Sequence, residues 1–349
     1  MSIGRYKRML GKLQIFSFLS ARGRAMPRTL LAILLMVGLG CVLFVGAVEI
    51  FYRFKAPYRG FGGARELPQF RRGGPAVAAT FVVDPDFGFR PVFDNGQHTA
   101  FGTLANDYPL TKSNGKKRLL FIGDSVTRRG HIVDALKDEY GSLKYEYWNA
   151  GVESFNTVQE VRYYKYFNRA LRPDEVLLTF HLNDFETTPV AFREADGSLV
   201  VYAPNVPAQR INPWLFQHSY LYRSWIGVTT ARKTERGAII KQVRASLDEL
   251  KRMVDADGAR LTVLVLPILR PQNDWSAEYR ENRRHILDIL ESLQLRYFDL
   301  LEPLNQAFAD GVSTVEAGDD LFWHPSREVA KYFGAYLRRK GLLETTDGL

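Results

Sequence analysis

Ser125, His324, Gly151 and Asn183 are the residues whose types and surroundings could carry covalent chemistry. Ser125 stands in Gly123-Asp124-Ser125-Val126-Thr127, directly after the apolar run Arg118–Ile122. A turn from strand to helix at that point would present both its hydroxyl and its backbone N–H at a helix start. A serine hydroxyl is a weak nucleophile until a base takes its proton, and acyl transfer also needs N–H donors aimed at the oxyanion that develops. His324, in His324-Pro325-Ser326, could take and return that proton. Ser125 N–H, Gly151 N–H in Asn149-Ala150-Gly151 and the Asn183 amide in His181-Leu182-Asn183-Asp184 could form the oxyanion hole.

These stretches meet only if a fold brings them together, and the pattern of apolar runs supplies one. Runs of strand length at Arg118–Ile122, Tyr145–Trp148, Glu175–Phe180, Leu261–Leu266 and Arg296–Phe298 alternate with helix-type spacing near 127–140, 157–169, 238–256, 276–292 and 326–342. Strand then helix, five times over, predicts an α/β domain with a parallel sheet. In such sheets ligands collect outside the carboxyl ends of the strands. The serine, glycine and asparagine stretches all fall at such ends, and the histidine stands just before the last helix.

The four blocks together resemble the SGNH/GDSL hydrolase family over about Lys117–Leu343. Gly123-Asp124-Ser125-Val126 resembles the first block, Gly151 closes the second, Asn183 and Asp184 carry the third, and His324-Pro325 the last. The resemblance implies a flavodoxin-like three-layer α/β/α sandwich with a mainly parallel five-stranded sheet. It implies Ser125 as nucleophile, His324 as base and Ser125, Gly151 and Asn183 as oxyanion donors. It implies an acyl-Ser125 intermediate, ester hydrolysis or O-acyl transfer, and no cofactor. Two positions depart from the family pattern. His181 stands where the third block usually has glycine, and Leu321 where the family usually has an aspartate three residues before the histidine. Asp320 is the expected support for His324, with Asp319, or a Ser-His dyad without either, as alternatives. These departures also leave open a catalytically silent domain that binds glycan or scaffolds an envelope complex.

His181 is the runner-up base, while His98, His131, His218 and His285 have no motif around them and read as core or solvated residues. Arg128 and Arg129, beside the nucleophile turn, suit either an anionic substrate, with Arg128 the substrate-binding candidate, or a solvated helix face. Gly-rich runs at 60–63 and 73–74 lack the strand-to-helix context and Lys-Ser/Thr pairing of nucleotide loops, and no metal-ligand spacing is present.

The formal charge of +9 over 349 residues is concentrated at one end. Residues 1–28 hold seven Lys/Arg and no acid, residues 53–74 hold six against one Glu, and the remainder from residue 75 is slightly acidic. A nucleic-acid binder carries positive charge on the folded face that meets phosphate, so this distribution speaks against one. Here the charge brackets Leu30–Val48, an uncharged apolar stretch of about the ~20 residues that cross a bilayer. The N-terminal basic flank would stay cytoplasmic and everything after residue 52 would be exported. The single cysteine, Cys41, lies inside this stretch, so no disulfide framework exists. Expected organisation is a basic cytoplasmic leader (1–28), a transmembrane helix (29–52), a Gly/Pro/Arg-rich tether (53–76), a lead-in (77–115) in which Phe81–Val83 could add an edge strand, and the hydrolase domain (116–345) with an insertion at about 186–235. An exported, anchored domain would act on acyl esters of cell-envelope glycans, its membrane contact made through one helix; no protein partner is indicated. The insertion aromatics Trp214, Tyr220, Tyr222 and Trp225 suit either packing or carbohydrate stacking.

Overall fold

A computed structural model describes residues 28–55, 70–73, 76, 79–113, 115–182, 184–193, 196–203, 211–230, 235–319 and 321–344. Asn183, Asp320, the leader before residue 28 and residues 56–69 of the expected tether lie outside them. The chain divides into two units, Met1–Ala56 and Pro57–Leu349. In the first, α1 (Arg28–Lys55) is a continuous helix. Within Arg28–Phe54 the most apolar 18 residues have a mean hydropathy of 2.8, and the helix is long and apolar enough to cross a membrane; a signal sequence would have the same character.

The second unit is built on five strands: β4 (Lys117–Ile122), β5 (Tyr145–Asn149), β6 (Glu175–His181), β9 (Arg260–Leu266) and β10 (Arg296–Asp299). They lie in the order β10-β9-β6-β4-β5, and every neighbouring pair is parallel. Taken in order of appearance among the five, the strands run 2-1-3-4-5, the flavodoxin-like arrangement. The expected fold class is therefore the observed one. β4 and β6 flank the point where the strand order reverses, and ligand crevices open there in doubly wound sheets.

Period-two alternation divides each strand between two helical layers. Leu120 and Ile122 of β4, Val176, Leu178 and Phe180 of β6, and Val263 and Val265 of β9 face α4 (Thr157–Tyr166), α7 (Arg236–Ala256) and α8 (Ala277–Ser292). Leu119 and Phe121, Leu177, and Leu264 and Leu266 face α3 (His131–Tyr140), α9 (Leu301–Ala309) and α10 (Arg327–Arg339). Sheet residues covered on both sides explain why the strands read as near-continuous apolar runs. The helix expected over 127–140 is broken: α2 (Ser125–Arg129) ends at Gly130, left-handed at φ 83°, and α3 starts at once.

Three outer parts differ from expectation. Phe81–Val83 does not add an edge strand to the central sheet, because β2 (Phe81–Asp84) pairs instead with β3 (Gly88–Pro91) in a separate antiparallel hairpin. The insertion has its own small core: β7 (Val190–Arg193), β8 (Leu199–Tyr202), α5 (Pro213–His218) and α6 (Tyr220–Thr230) enclose Phe192, Tyr202, Phe216 and Ile226. Finally, β1 (Phe70–Gly73), at the end of the expected tether, pairs antiparallel with β8.

At the amino end of β4 a buried ion pair ties four segments together. Arg118, only 1% exposed, donates through Nε to Glu146 Oε2 at 2.8 Å and through Nη1 to Leu171 O at 2.6 Å, with its guanidinium 4.8 Å from the Trp148 ring. Glu146 also accepts from Trp148 Nε1 and Ser113 N. Burial opposes ionisation of Glu146, but those bonds and Arg118 outweigh it and hold its carboxyl below the usual value. Removing one partner of such a pair strands a buried charge at a cost of about 3–5 kcal/mol. Arg118→Met should therefore lower the denaturant midpoint steeply, and adding Glu146→Leu should recover part of the loss; a double variant no better than the single one would contradict this.

Candidate active site

The chain is forced into a sharp exit from β4. Gly123 has φ 155°, and a Cβ there would lie 2.1 Å from Thr127 Oγ1 and 3.2 Å from Thr179 O, so no side chain fits. Asp124 then caps α2, accepting from Val126 N at 2.9 Å. Ser125 is thus the first helical residue, partly exposed, and no acceptor among the described residues takes its N–H. First-turn N–H groups have no intrahelical partner, which leaves this one open to an oxyanion.

His324 meets Ser125 across 199 residues of sequence: Nε2 lies 3.0 Å from Ser125 Oγ. Its other ring nitrogen, Nδ1, lies 3.3 Å from Asp319 Oδ2. Hydroxyl, imidazole and carboxylate therefore stand in the order that a proton relay requires. The carboxylate beside the ring belongs to Asp319, five residues before His324, while the expected Asp320 lies outside the described residues. Two extra residues are accommodated by a tight loop in which Leu321 is exposed and Phe322 takes a left-handed φ of 60°. The Asp319 carboxylate organises that loop by accepting from the backbone N–H groups of Leu321 (3.1 Å), Trp323 (2.8 Å) and His324 (2.6 Å). Burial alone would raise its pKa, but these three bonds and the adjacent imidazole lower it below the ordinary value.

A second set of contacts holds the histidine segment from outside. Val315 and Pro325 form a bridge, and Glu316 N donates to His324 O at 3.0 Å. His131, which carried no motif, places Nδ1 2.8 Å from Pro325 O and 3.4 Å from Glu316 Oε1. A carbonyl only accepts, so Nδ1 of His131 carries the proton. Arg129 lies 3.6 Å from Glu316 and Arg128 3.6 Å from Glu153, so both arginines beside the serine face acidic neighbours. His181, the runner-up base, is fully buried and stands edge-on to Trp323 with ring centroids 6.1 Å apart. It is not the imidazole at Ser125.

The Gly151 N–H, an expected oxyanion donor, has a partner within the protein. It donates to Asn149 Oδ1 at 2.9 Å, while Asn149 Nδ2 donates to Thr127 O at 2.7 Å. The amide expected to face an oxyanion thus closes a turn clamped to α2. A Cβ on Gly151 would come 2.3 Å from Arg128 N, so glycine is required here by backbone-to-backbone approach. Gly151→Ala should push the second loop off α2 and lower the thermal midpoint; an alanine variant with unchanged midpoint would show that the loop relaxes freely. Asn183, the third expected donor, lies outside the described residues.

Behind the nucleophile turn, Asp124, Glu160 and Asp184 are buried, and no group of three His, Cys, Asp or Glu among the described residues could hold a metal ion. Burial pushes Asp124 up to about 7, with Glu186 adding to the rise, and pushes Glu160 and Asp184 up as well, each felt by its neighbours. Asp124's folded value exceeds its unfolded one near 3.8, so the stability linked to its neutral form is present below about pH 4 and is lost as pH rises through about 7. Asp124→Asn keeps an acceptor for Val126 N and should flatten the fall of thermal midpoint between pH 5 and 8. Parallel curves for the two proteins would contradict that assignment.

The strand order and layers are those the resemblance implied. The fold is a flavodoxin-like three-layer α/β/α sandwich. Among solved structures, the chain is similar to an acetylxylan esterase from Geobacillus stearothermophilus (16% identity, TM-score 0.43, 65% of this chain and 95% of that one). It is also similar to an α/β hydrolase enzyme from the metagenome of Lake Arreo, Spain (13%, TM-score 0.44, 66% and 97%), and to a putative GDSL-like lipase from Parabacteroides merdae (13%, TM-score 0.42, 66% and 99%). No family model and no curated protein matches the sequence.

Proposed function

We propose that this chain is a membrane-anchored serine esterase or O-acyltransferase that works through an acyl-Ser125 intermediate. The observation that carries the reading is the 3.0 Å separation of Ser125 Oγ and His324 Nε2, with Asp319 Oδ2 3.3 Å from Nδ1. Ser125 Oγ attacks the ester carbonyl carbon as its proton passes to His324 Nε2, and the imidazolium is stabilised by the ionised Asp319. Charge developing on the carbonyl oxygen is met by the Ser125 N–H, with the Asn183 amide and Gly151 N–H as further donors. Gly151 must first release Asn149 Oδ1. As the C–O bond breaks, Nε2–H protonates the departing alkoxide. Water, or an acceptor hydroxyl, then gives its proton to Nε2 and attacks the acyl carbon, which restores Ser125 and yields an acid or a new ester.

The substrate class follows from placement. The excess of Lys/Arg before α1 favours a cytoplasmic leader and an exported catalytic unit, where acyl esters of cell-envelope glycans are within reach of an anchored domain. Arg128 faces the same rim and would engage an acidic group on such a substrate if Glu153 gives way. A silent, glycan-binding domain is the second reading, and the occupied Gly151 N–H is the observation in its favour.

A fluorophosphonate probe on the full-length protein in detergent separates the two. Wild type should label and Ser125→Ala should not; a folded wild type that never labels favours the silent domain. Asp319→Asn should reduce ester turnover by about 10²–10⁴-fold, because the ring loses both its orientation and the charge that stabilises it. Asp320→Asn should stay close to wild type, and the reverse ranking would transfer the supporting role to Asp320.

A further inference from the structure

A cleft of about 270 Å³ opens between the β2/β3 hairpin and the insertion, lined among others by Asp84, Gly88, Ala191, Pro213, Trp214 and Gln217. It belongs neither to the central sheet nor to the serine site. Trp214 is 65% exposed, on the short helix α5, and its indole is backed by the His218 imidazole at a 4.9 Å centroid separation and a 24° angle. The helix is fixed by Asn212, which accepts from Leu215 N, while His218 Nδ1 donates to Trp214 O at 2.8 Å. An aromatic face held rigid from behind and left open in front suits a flat apolar partner. Asp84 and Gln217 add polar groups to the same walls. The Asp84 carboxylate is already oriented, since Arg90 Nε donates to Oδ2 at 2.9 Å and Asp86 N to Oδ1 at 3.0 Å.

An apolar ring face flanked by hydroxyls describes a pyranose, and a cleft just below the usual ~300–1,000 Å³ of ligand sites holds one or two such rings. The cleft is also joined to the serine site by a short piece of chain. Glu186 lies close enough to Asp124 to raise its pKa, and Val190, four residues on, lines the cleft. Four residues span at most about 14 Å. Gly88 packs so closely on that linking segment that a Cβ would lie 2.3 Å from Pro189 O, which fixes hairpin and loop to each other.

We infer that this cleft is a saccharide subsite, with Trp214 as the stacking platform and Asp84 and Gln217 as hydroxyl partners. It holds a glycan chain a few sugar units from the ester at Ser125. The inference rests on the glycan reading given under the proposed function, but binding is measurable without turnover. Full-length Ser125→Ala in detergent is titrated with chitotetraose, cellotetraose and xylotetraose by calorimetry and tryptophan fluorescence. At least one should bind. Trp214→Ala should weaken that binding by 10-fold or more, Trp214→Phe by a few-fold, and Trp225→Ala, an exposed tryptophan outside the cleft lining, not at all. In the Ser125 enzyme, Trp214→Ala should raise KM for an acetylated tetrasaccharide while leaving p-nitrophenyl acetate hydrolysis unchanged. Failure of every ester to react with oligosaccharide binding intact would sink the catalytic reading and spare the subsite. Absence of binding to all three sugars, equal affinity in Trp214→Ala, or Trp214-dependent capture of anionic lipid vesicles in place of sugar would overturn the subsite.

Discussion

All five core strands run in one direction, and every chemical consequence described above depends on that constraint. Parallel pairing sends each strand's carboxyl end to the same rim, so loops far apart in sequence converge without any contact designed between them in advance. Convergence alone leaves tolerances too loose for proton transfer. The fine adjustment comes from close approach to glycine: Gly123 turns under the Thr127 side chain, and Gly151 presses on Arg128 N, at distances where a single methyl group would not fit. Serine, second loop and α2 thus form one rigid piece. The histidine arrives on a separate loop with supports of its own.

Two groups of carboxylates at this rim show how environment divides one side-chain type into opposite roles. Asp319 receives three backbone N–H bonds in its loop and lies beside an imidazole, which favours the charged form that a histidine needs behind it. Asp124, Glu160 and Asp184 sit together in the interior, where each charge penalises the next, so the neutral form is favoured. The wall behind the nucleophile is consequently less negative than its composition suggests. A strongly anionic wall there would oppose any negative charge developing beside Ser125.

The sheet was legible because its strands are buried on both faces and read as apolar runs, with boundaries within a residue or two of those observed. Helix α9 forms where the sequence pattern predicted no helix; its Pro303 falls in the first turn, where a missing N–H costs nothing. The β2/β3 hairpin was mistaken for an edge strand because four residues of strand pattern do not say which partner they take. At the site, spacing pointed to Ser125 and His324 but not to the carboxylate beside the imidazole. Asp319 meets the imidazole from a loop that takes a left-handed step at Phe322, and a residue without glycine's freedom gives no warning of such a step. Gly151 is also held by a backbone approach to Arg128 N that its place after a strand does not reveal. His131 had no sequence signal at all, because its partner is a backbone carbonyl.

The β1 strand changes how the domain bears load. Chain coming from the direction of α1 enters the small antiparallel sheet through Phe70–Gly73, whose ladder to Leu199–Tyr202 runs crosswise to the strand direction. Tension along the incoming segment therefore falls on several of these bonds in shear, and is taken up in the peripheral sheet. A pull on the chain before Phe70 would strain that outer fastening first, leaving the serine–imidazole spacing mechanically insulated from it.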